Sequence, residues 1–239
     1  MTPSVQYLFE NNLLDSSGNG HDLSTDSSPS YIEGEETAGA YFGGQPNKAY
    51  IMDGSVLELT TQNFSWMVLL KWFQLQGAGQ AVFAKTALDE SYPGGYILNC
   101  VSDTLFFRIV AGVESQYADM YLPSIPHDGC WHLYAMNINR SGGVYDAWVD
   151  GIQVYSGAPI VREGGGPFFS TWSITSNGSH FCVGCRYGFD GFNPPSFQSW
   201  YTGGIDNFNF YINQFLTQDD INKEYEKLSY SKIWHGATF

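Results

Sequence analysis

The densest run of side chains able to grip a ligand is the segment 187–201, YGFDGFNPPSFQSWY. Tyr187, Phe189, Phe192, Trp200 and Tyr201 offer flat apolar faces, and Asp190 and Asn193 place acceptors beside them. Sugars present apolar C–H faces flanked by hydroxyls, so rings paired with polar acceptors suit a carbohydrate. Long irregular loops are also where function concentrates. A second stretch, 162–176, adds Phe168, Phe169 and Trp172. Rings of this kind serve equally to anchor a loop on a core or to make a subunit contact, and the residue types leave both readings open.

A cation site is the next candidate. Asp15 sits in LLDSSGNGHDL, where the carbonyls near Gly18, Asn19 and Gly20 are free of regular structure. Calcium takes carboxylate, carbonyl and water oxygens. The competing reading is an Asx turn, in which the carboxylate accepts backbone N–H groups.

Cys182 and Cys185 form a C-x-x-C, but HFCVGCRYG reads as a strand. On a strand, residues three apart face opposite ways, which disfavours both chelation and a local disulfide. With Cys100 and Cys130 the chain has 4 cysteines, too few for a disulfide scaffold at 239 residues. All four are expected as packed free thiols.

Catalytic motifs are thin. Asp146 and Asp150 share a strand face, but Asp150 is a turn residue; Glu33, Glu35 and Glu36 lie in a loop. Gly-x-Ser-x-Gly, His-Glu-x-x-His and phosphate-loop patterns do not occur, and His21, His127, His132, His180 and His235 are scattered.

These candidates need a scaffold, and composition supplies one. Hydrophobic residues make up 43% of the chain, aromatics 17% and charged residues 14%, with 27 glycines. That favours short strands, tight turns and a sizeable core. The net charge of −14 repels phosphate backbones and anionic headgroups, so neither nucleic acid nor a membrane surface is an expected partner. The first twenty residues lack a basic-then-apolar leader pattern, and no run of about 20 apolar residues occurs, so a soluble protein without a signal peptide is expected.

Strand signals fall at 4–10, 38–43, 49–52, 63–73, 80–85, 95–101, 104–110, 117–121, 131–138, 144–150, 152–155, 180–185 and 204–211. In 63–73, Phe64, Trp66, Val68, Leu70 and Trp72 alternate onto one face, and Met67, Leu69 and Phe73 make the other face apolar too. Asp150-Gly151 between two alternating runs is a hairpin signal. One helix is expected over 217–228: Thr217 caps it, Asp220 closes the box, and Ile221, Tyr225 and Leu228 share a face. The expectation is an all-β, two-sheet antiparallel sandwich with one short C-terminal helix: a single domain over 1–229 and a tail over 230–239.

Several motifs appear in a recognisable order. They are Tyr7-Leu8-Phe9, then Asp15-Ser-Ser-Gly18-Asn19-Gly20-His21-Asp22, Phe64-Ser65-Trp66, Trp131-His132-Leu133, Trp148-Val149-Asp150-Gly151, and Gly203-Gly204-Ile205-Asp206-Asn207-Phe208. In this order the chain resembles the laminin G-like, concanavalin A-like lectin/glucanase jelly-roll superfamily over nearly its whole length. The resemblance implies a jelly roll and brings Asp206 close to the Asp15 loop, giving a structural Ca²⁺ site of Asp15, Asp206 and the carbonyls near Gly18, Asn19 and Gly20. The family often carries a second Asp where this chain has Asn207, which removes one anionic ligand. Its glucanases use a Glu-x-Asp-x-Glu triplet, and this sequence has none.

The function expected is therefore non-enzymatic recognition of a glycan or a protein surface, extending to a structural or receptor-facing part of a phage or viral particle. A polysaccharide-acting enzyme and a purely structural oligomerisation module, with the tail as an exchanged arm in a homo-oligomer, are the alternatives. Virion and extracellular settings both fit.

Overall fold

The computed structural model describes residues 1–34, 37–44, 47–72, 79–87, 94–101, 104–111, 116–124, 126, 128–167, 171, 173–176, 178–188 and 196–235. Its strands, in chain order, are β1 (Val5–Tyr7), β2 (Ser30–Ile32), β3 (Gly39–Gly43), β4 (Ala49–Ile51), β5 (Phe64–Trp72), β6 (Gln80–Ala87), β7 (Gly94–Val101) and β8 (Thr104–Val110). Then follow β9 (Tyr117–Leu122), β10 (His132–Asn139), β11 (Val144–Val149), β12 (Ile152–Pro159), β13 (Phe181–Val183), β14 (Arg186–Gly188), β15 (Ser196–Gln198) and β16 (Thr202–Ile212). One helix, α1 (Gln218–His235), ends the described chain.

Two antiparallel sheets carry the architecture. The first has eight strands, in the order β12-β11-β10-β5-β16-β3-β2 with β1 also paired to β16. The second has six, in the order β4-β13-β6-β7-β8-β9, and β14 and β15 form a small separate hairpin. The expected all-β sandwich is the fold.

Alternation explains why the sheets pack. In β5, Phe64, Trp66, Val68, Leu70 and Trp72 enter the core between the sheets, while Met67 and Leu69 point outward to a second apolar cluster. In the six-stranded sheet, Val183, Phe83, Leu98, Phe107 and Met120 supply the facing rings and branches. Trp66 meets Phe83 edge-on at 5.5 Å, and Phe64 stacks on Phe210 at 5.5 Å. Each such side chain contributes about 1.5–3 kcal/mol through burial.

The outward cluster of the larger sheet is covered by α1, whose Ile221 and Leu228 join Met67, Leu69, Leu133 and Trp148. Thr217 and Asp220 form the anticipated box: the Asp220 N–H donates to Thr217 Oγ1 at 3.2 Å, and the Thr217 N–H donates to Asp220 Oδ2 at 2.9 Å. The helix runs to His235 rather than stopping at 228, because SYSKIWH contains no glycine or proline to end it.

Asn207 sits in a bulge. Between the pairs Asp206–Leu69 and Asn209–Met67, β16 has one residue more than β5, and Asn207 takes φ 46°. Asparagine tolerates this left-handed conformation better than most residues. Its Nδ2 donates to Glu224 of α1, so the bulge also fastens the helix. The hairpin between β11 and β12 turns through Asp150 at φ 49° and Gly151 at φ 79°, the primed geometry that the Asp-Gly pair announces.

Candidate functional site

At the β4 edge of the six-stranded sheet, aromatic rings and polar groups come together from segments far apart in sequence. Tyr50 points outward from β4, between buried Ala49 and Ile51. Its ring lies 5.5 Å from that of His180, which lies 4.7 Å from Tyr187 at the start of the β14 hairpin. The Tyr50 hydroxyl donates to Asp26 Oδ1 at 2.9 Å, and Lys48 Nζ pairs with Asp26 Oδ2 at 2.9 Å. Lys48 in turn sits 5.9 Å from the ring centroid of Trp200.

Backbone bonds hold this ladder. The Ser24 N–H donates to Tyr50 O at 2.7 Å, the Tyr50 N–H returns to Ser24 O at 2.9 Å, and Thr25 Oγ1 donates to Lys48 O at 2.6 Å. Lys48 first, then Tyr50, hold the Asp26 carboxyl below the usual carboxylate range, and Asp26 pushes the Tyr50 hydroxyl up. The result is a set of half-buried rings interleaved with a carboxylate, an ammonium and a hydroxyl. It offers stacking faces, donors and acceptors together, which is what sugar recognition requires.

Of the expected sugar-site residues, Tyr187 and Trp200 belong to this ladder. Tyr201 does not. It is fully buried, meets Trp72 edge-on at 5.4 Å, and places its hydroxyl 3.5 Å from Lys71 O, so it is a core residue. Phe189, Asp190, Phe192 and Asn193 lie outside the described residues, as do Phe168, Phe169 and Trp172. Asp26, Lys48, Tyr50 and His180 were not signalled as site residues by the sequence, because what unites them is the non-local pairing of β4 with β13.

The Asp15 loop adopts the Asx arrangement. Oδ1 accepts the N–H groups of Gln6 at 3.0 Å and Ser17 at 2.9 Å; Oδ2 accepts Ser17 Oγ at 2.9 Å and the His21 N–H at 3.0 Å. Despite its partial burial, these donors hold the carboxyl below its ordinary value. Gly18 and Gly20 turn the loop at φ 87° and 75°, and Asn19 Nδ2 donates to Ser4 O at 3.0 Å. Asp206 is buried, accepts the Asn207 N–H at 2.8 Å, and packs near Gly39 and Trp131 in the layer below α1. Asp15 thus accepts four hydrogen bonds from its own loop and β1, and Asp206 lies in the layer below α1. Among the described residues no group of three or more His, Cys, Asp or Glu is arranged to hold a metal.

Cys182 and Cys185 lie together, not on opposite faces. Gly184, at φ 78°, follows the end of the strand at Val183 and brings Cys185 beside Cys182, whose thiol donates to His180 O at 3.7 Å. Both are buried free thiols, and burial pushes the Cys182 thiol well above its ordinary value. The same-strand carboxylates are committed to structure. Asp146 Oδ1 accepts the Gly157 N–H at 2.8 Å. Asp150 Oδ1 accepts the Leu133 N–H at 2.9 Å, and its Oδ2 lies 2.7 Å from His132 Nδ1.

No protein-family model and no curated protein matches the chain. Solved structures do. Domain 4 of AbnA, a GH43 extracellular arabinanase from Geobacillus stearothermophilus, in complex with arabinotriose, aligns with TM-score 0.57 and 19% identity over 93% of this chain and 97% of that one. The botulinum neurotoxin serotype G binding domain aligns with TM-score 0.67 and 12% identity, over 94% of this chain and 50% of that one. The binding domain of Paraclostridial Mosquitocidal Protein 1 gives 0.66 and 12%, over 95% and 51%. This chain thus spans about half the length of those two toxin chains. At such identities the likeness is one of fold, the two-sheet sandwich. Among the described residues no helix is long and apolar enough to cross a membrane.

Proposed function

We propose that this chain is a non-enzymatic recognition module for carbohydrate. The observation that carries the proposal is the ladder in which the rings of Tyr50, His180, Tyr187 and Trp200 are interleaved with Asp26 and Lys48. Aromatic faces take the apolar side of a sugar, while the carboxylate, ammonium and phenol exchange hydrogen bonds with its hydroxyls. Two fold neighbours are in keeping with this reading. One is in complex with arabinotriose, and for botulinum neurotoxin type C cell entry is described as dependent on two ganglioside molecules.

Membership of the laminin G-like, concanavalin A-like superfamily is part of the same proposal, as is a receptor-facing place on a phage or viral particle. Single stacking contacts are weak, with Kd on the order of millimolar for one sugar unit. Display in several copies would raise the avidity. A glycan array tests binding, and a reducing-end assay on the best polysaccharide ligands tests the absence of hydrolysis. Array binding without new reducing ends is the expected outcome. Release of sugar would establish the enzyme reading, and a blank array would remove the glycan.

A further inference from the structure

We propose that the outer face of β9 carries a second binding site, for one neutral sugar ring, at the opposite edge of the sheet from the ladder. It takes the carbohydrate reading as its premise. On β9, Ala118, Met120 and Leu122 enter the core, so Tyr117, Asp119 and Tyr121 alternate onto the outer face. Together with Val161, Arg162 and Glu163 they line a pocket of about 270 Å³. That lies just below the ~300 Å³ at which sites for larger ligands begin, which suits a single ring.

The pocket is built from fixed parts. Arg108, one strand inward, grips Asp119 with both prongs, Nε to Oδ1 at 2.6 Å and its second nitrogen to Oδ2 at 2.7 Å. Its guanidinium lies 4.0 Å from the Tyr117 ring centroid. The far wall is a glycine turn: Gly164, Gly165 and Gly166 have φ of 81°, 82° and 94°. This turn lets the Glu163 N–H reach Tyr117 O at 2.9 Å and the Arg162 N–H reach Gly166 O at 3.1 Å. Arg162 Nε donates to Gly165 O at 3.0 Å, which fixes the guanidinium plane and keeps the terminal N–H groups as donors.

The chemistry of the ligand follows from the charges. Arg108 and Arg162 balance Asp119 and Glu163, so the pocket favours neither an anion nor a cation. Each Asp119 oxygen engaged by Arg108 retains a lone pair for a hydroxyl. Tyr121, 52% exposed, supplies an open ring face. Donors, acceptors and an aromatic face around a neutral, ring-sized space describe an uncharged monosaccharide unit.

The test is a two-dimensional NMR titration with the methyl glycosides of arabinose, glucose, galactose and N-acetylglucosamine, with glucuronic acid as the charged probe. Amides of β9 and of Arg162 and Glu163 should shift with at least one neutral sugar, and less with glucuronic acid. Tyr121→Ala, at an exposed position, should weaken those shifts at least tenfold while Tyr187 and Trp200 respond as in the wild type. Silence at β9 with a response at Tyr187 and Trp200 overturns this site and leaves the ladder standing. Silence at both overturns both, and unchanged β9 shifts in Tyr121→Ala overturn the assignment of the ring.

Discussion

Tyr50 and Asp119 stand at the two ends of one cross-strand row. Register pairs Tyr50 with Cys182, Cys182 with Ala84, Ala84 with Ile97, Ile97 with Arg108 and Arg108 with Asp119. Paired residues share a sheet face, so both lie on the face turned away from the core. At about 4.8 Å per strand, the two are roughly 24 Å apart along the row. Its middle members, Cys182, Ala84 and Ile97, are buried. Arg108, the inner member beside Asp119, is partly exposed, so the exposed groups of this row lie towards its two ends, with the ladder and the pocket.

The Asp15 loop is held by hydrogen bonds, which predicts indifference to calcium. Chelator should leave the melting temperature unchanged, while Asp15→Ala should cost about 2 kcal/mol by orphaning the donors it satisfies. Thermal melts with and without chelator check this. A drop with chelator that Asp206→Ala abolishes would restore the calcium reading.

How much of this was legible varies with how local each signal is. The β5 alternation, the Asp150-Gly151 turn and the Thr217 cap are written within a few residues of themselves, and the structure has all three. The Cys182–Cys185 contact was misread because one positive φ at Gly184 undoes the strand period. Tyr201 was misplaced because aromatic content alone does not tell a core ring from a surface one. The β9 pattern Tyr117-x-Asp119-x-Tyr121 was visible as alternation, but its partners Arg108 and Arg162 come from other elements.

Gly184 also makes a prediction of its own. A Cβ there would overlap the Phe42 ring, and the φ of 78° is one that side chains resist. Gly184→Ala should therefore destabilise the fold by about 3 kcal/mol. Denaturant unfolding measures it, and a change below about 0.5 kcal/mol would mean the bend is not needed.

His132 predicts a pH dependence. Asp150, with help from Asp128 at 3.2 Å, raises its pKa above the ordinary 6.5 despite partial burial. A raised folded pKa stabilises fully below the unfolded value and fades as pH climbs through the folded one. Stability should therefore fall from about pH 6.5 upward, by on the order of 1 kcal/mol, for a buried imidazole whose carboxylate partners are partly exposed. His132→Gln should flatten that slope; an unchanged slope would assign it to other groups.

The central claim is that the ladder binds carbohydrate, and calorimetric titration of wild type and Trp200→Ala with the best array ligand tests it most directly. Both proteins must first show the same melting temperature, and Tyr50→Ala serves as a second variant should Trp200→Ala melt early. The account predicts that affinity drops at least tenfold, about 1.4 kcal/mol, with the fold intact. Equal affinity in wild type and in both ladder variants would contradict it.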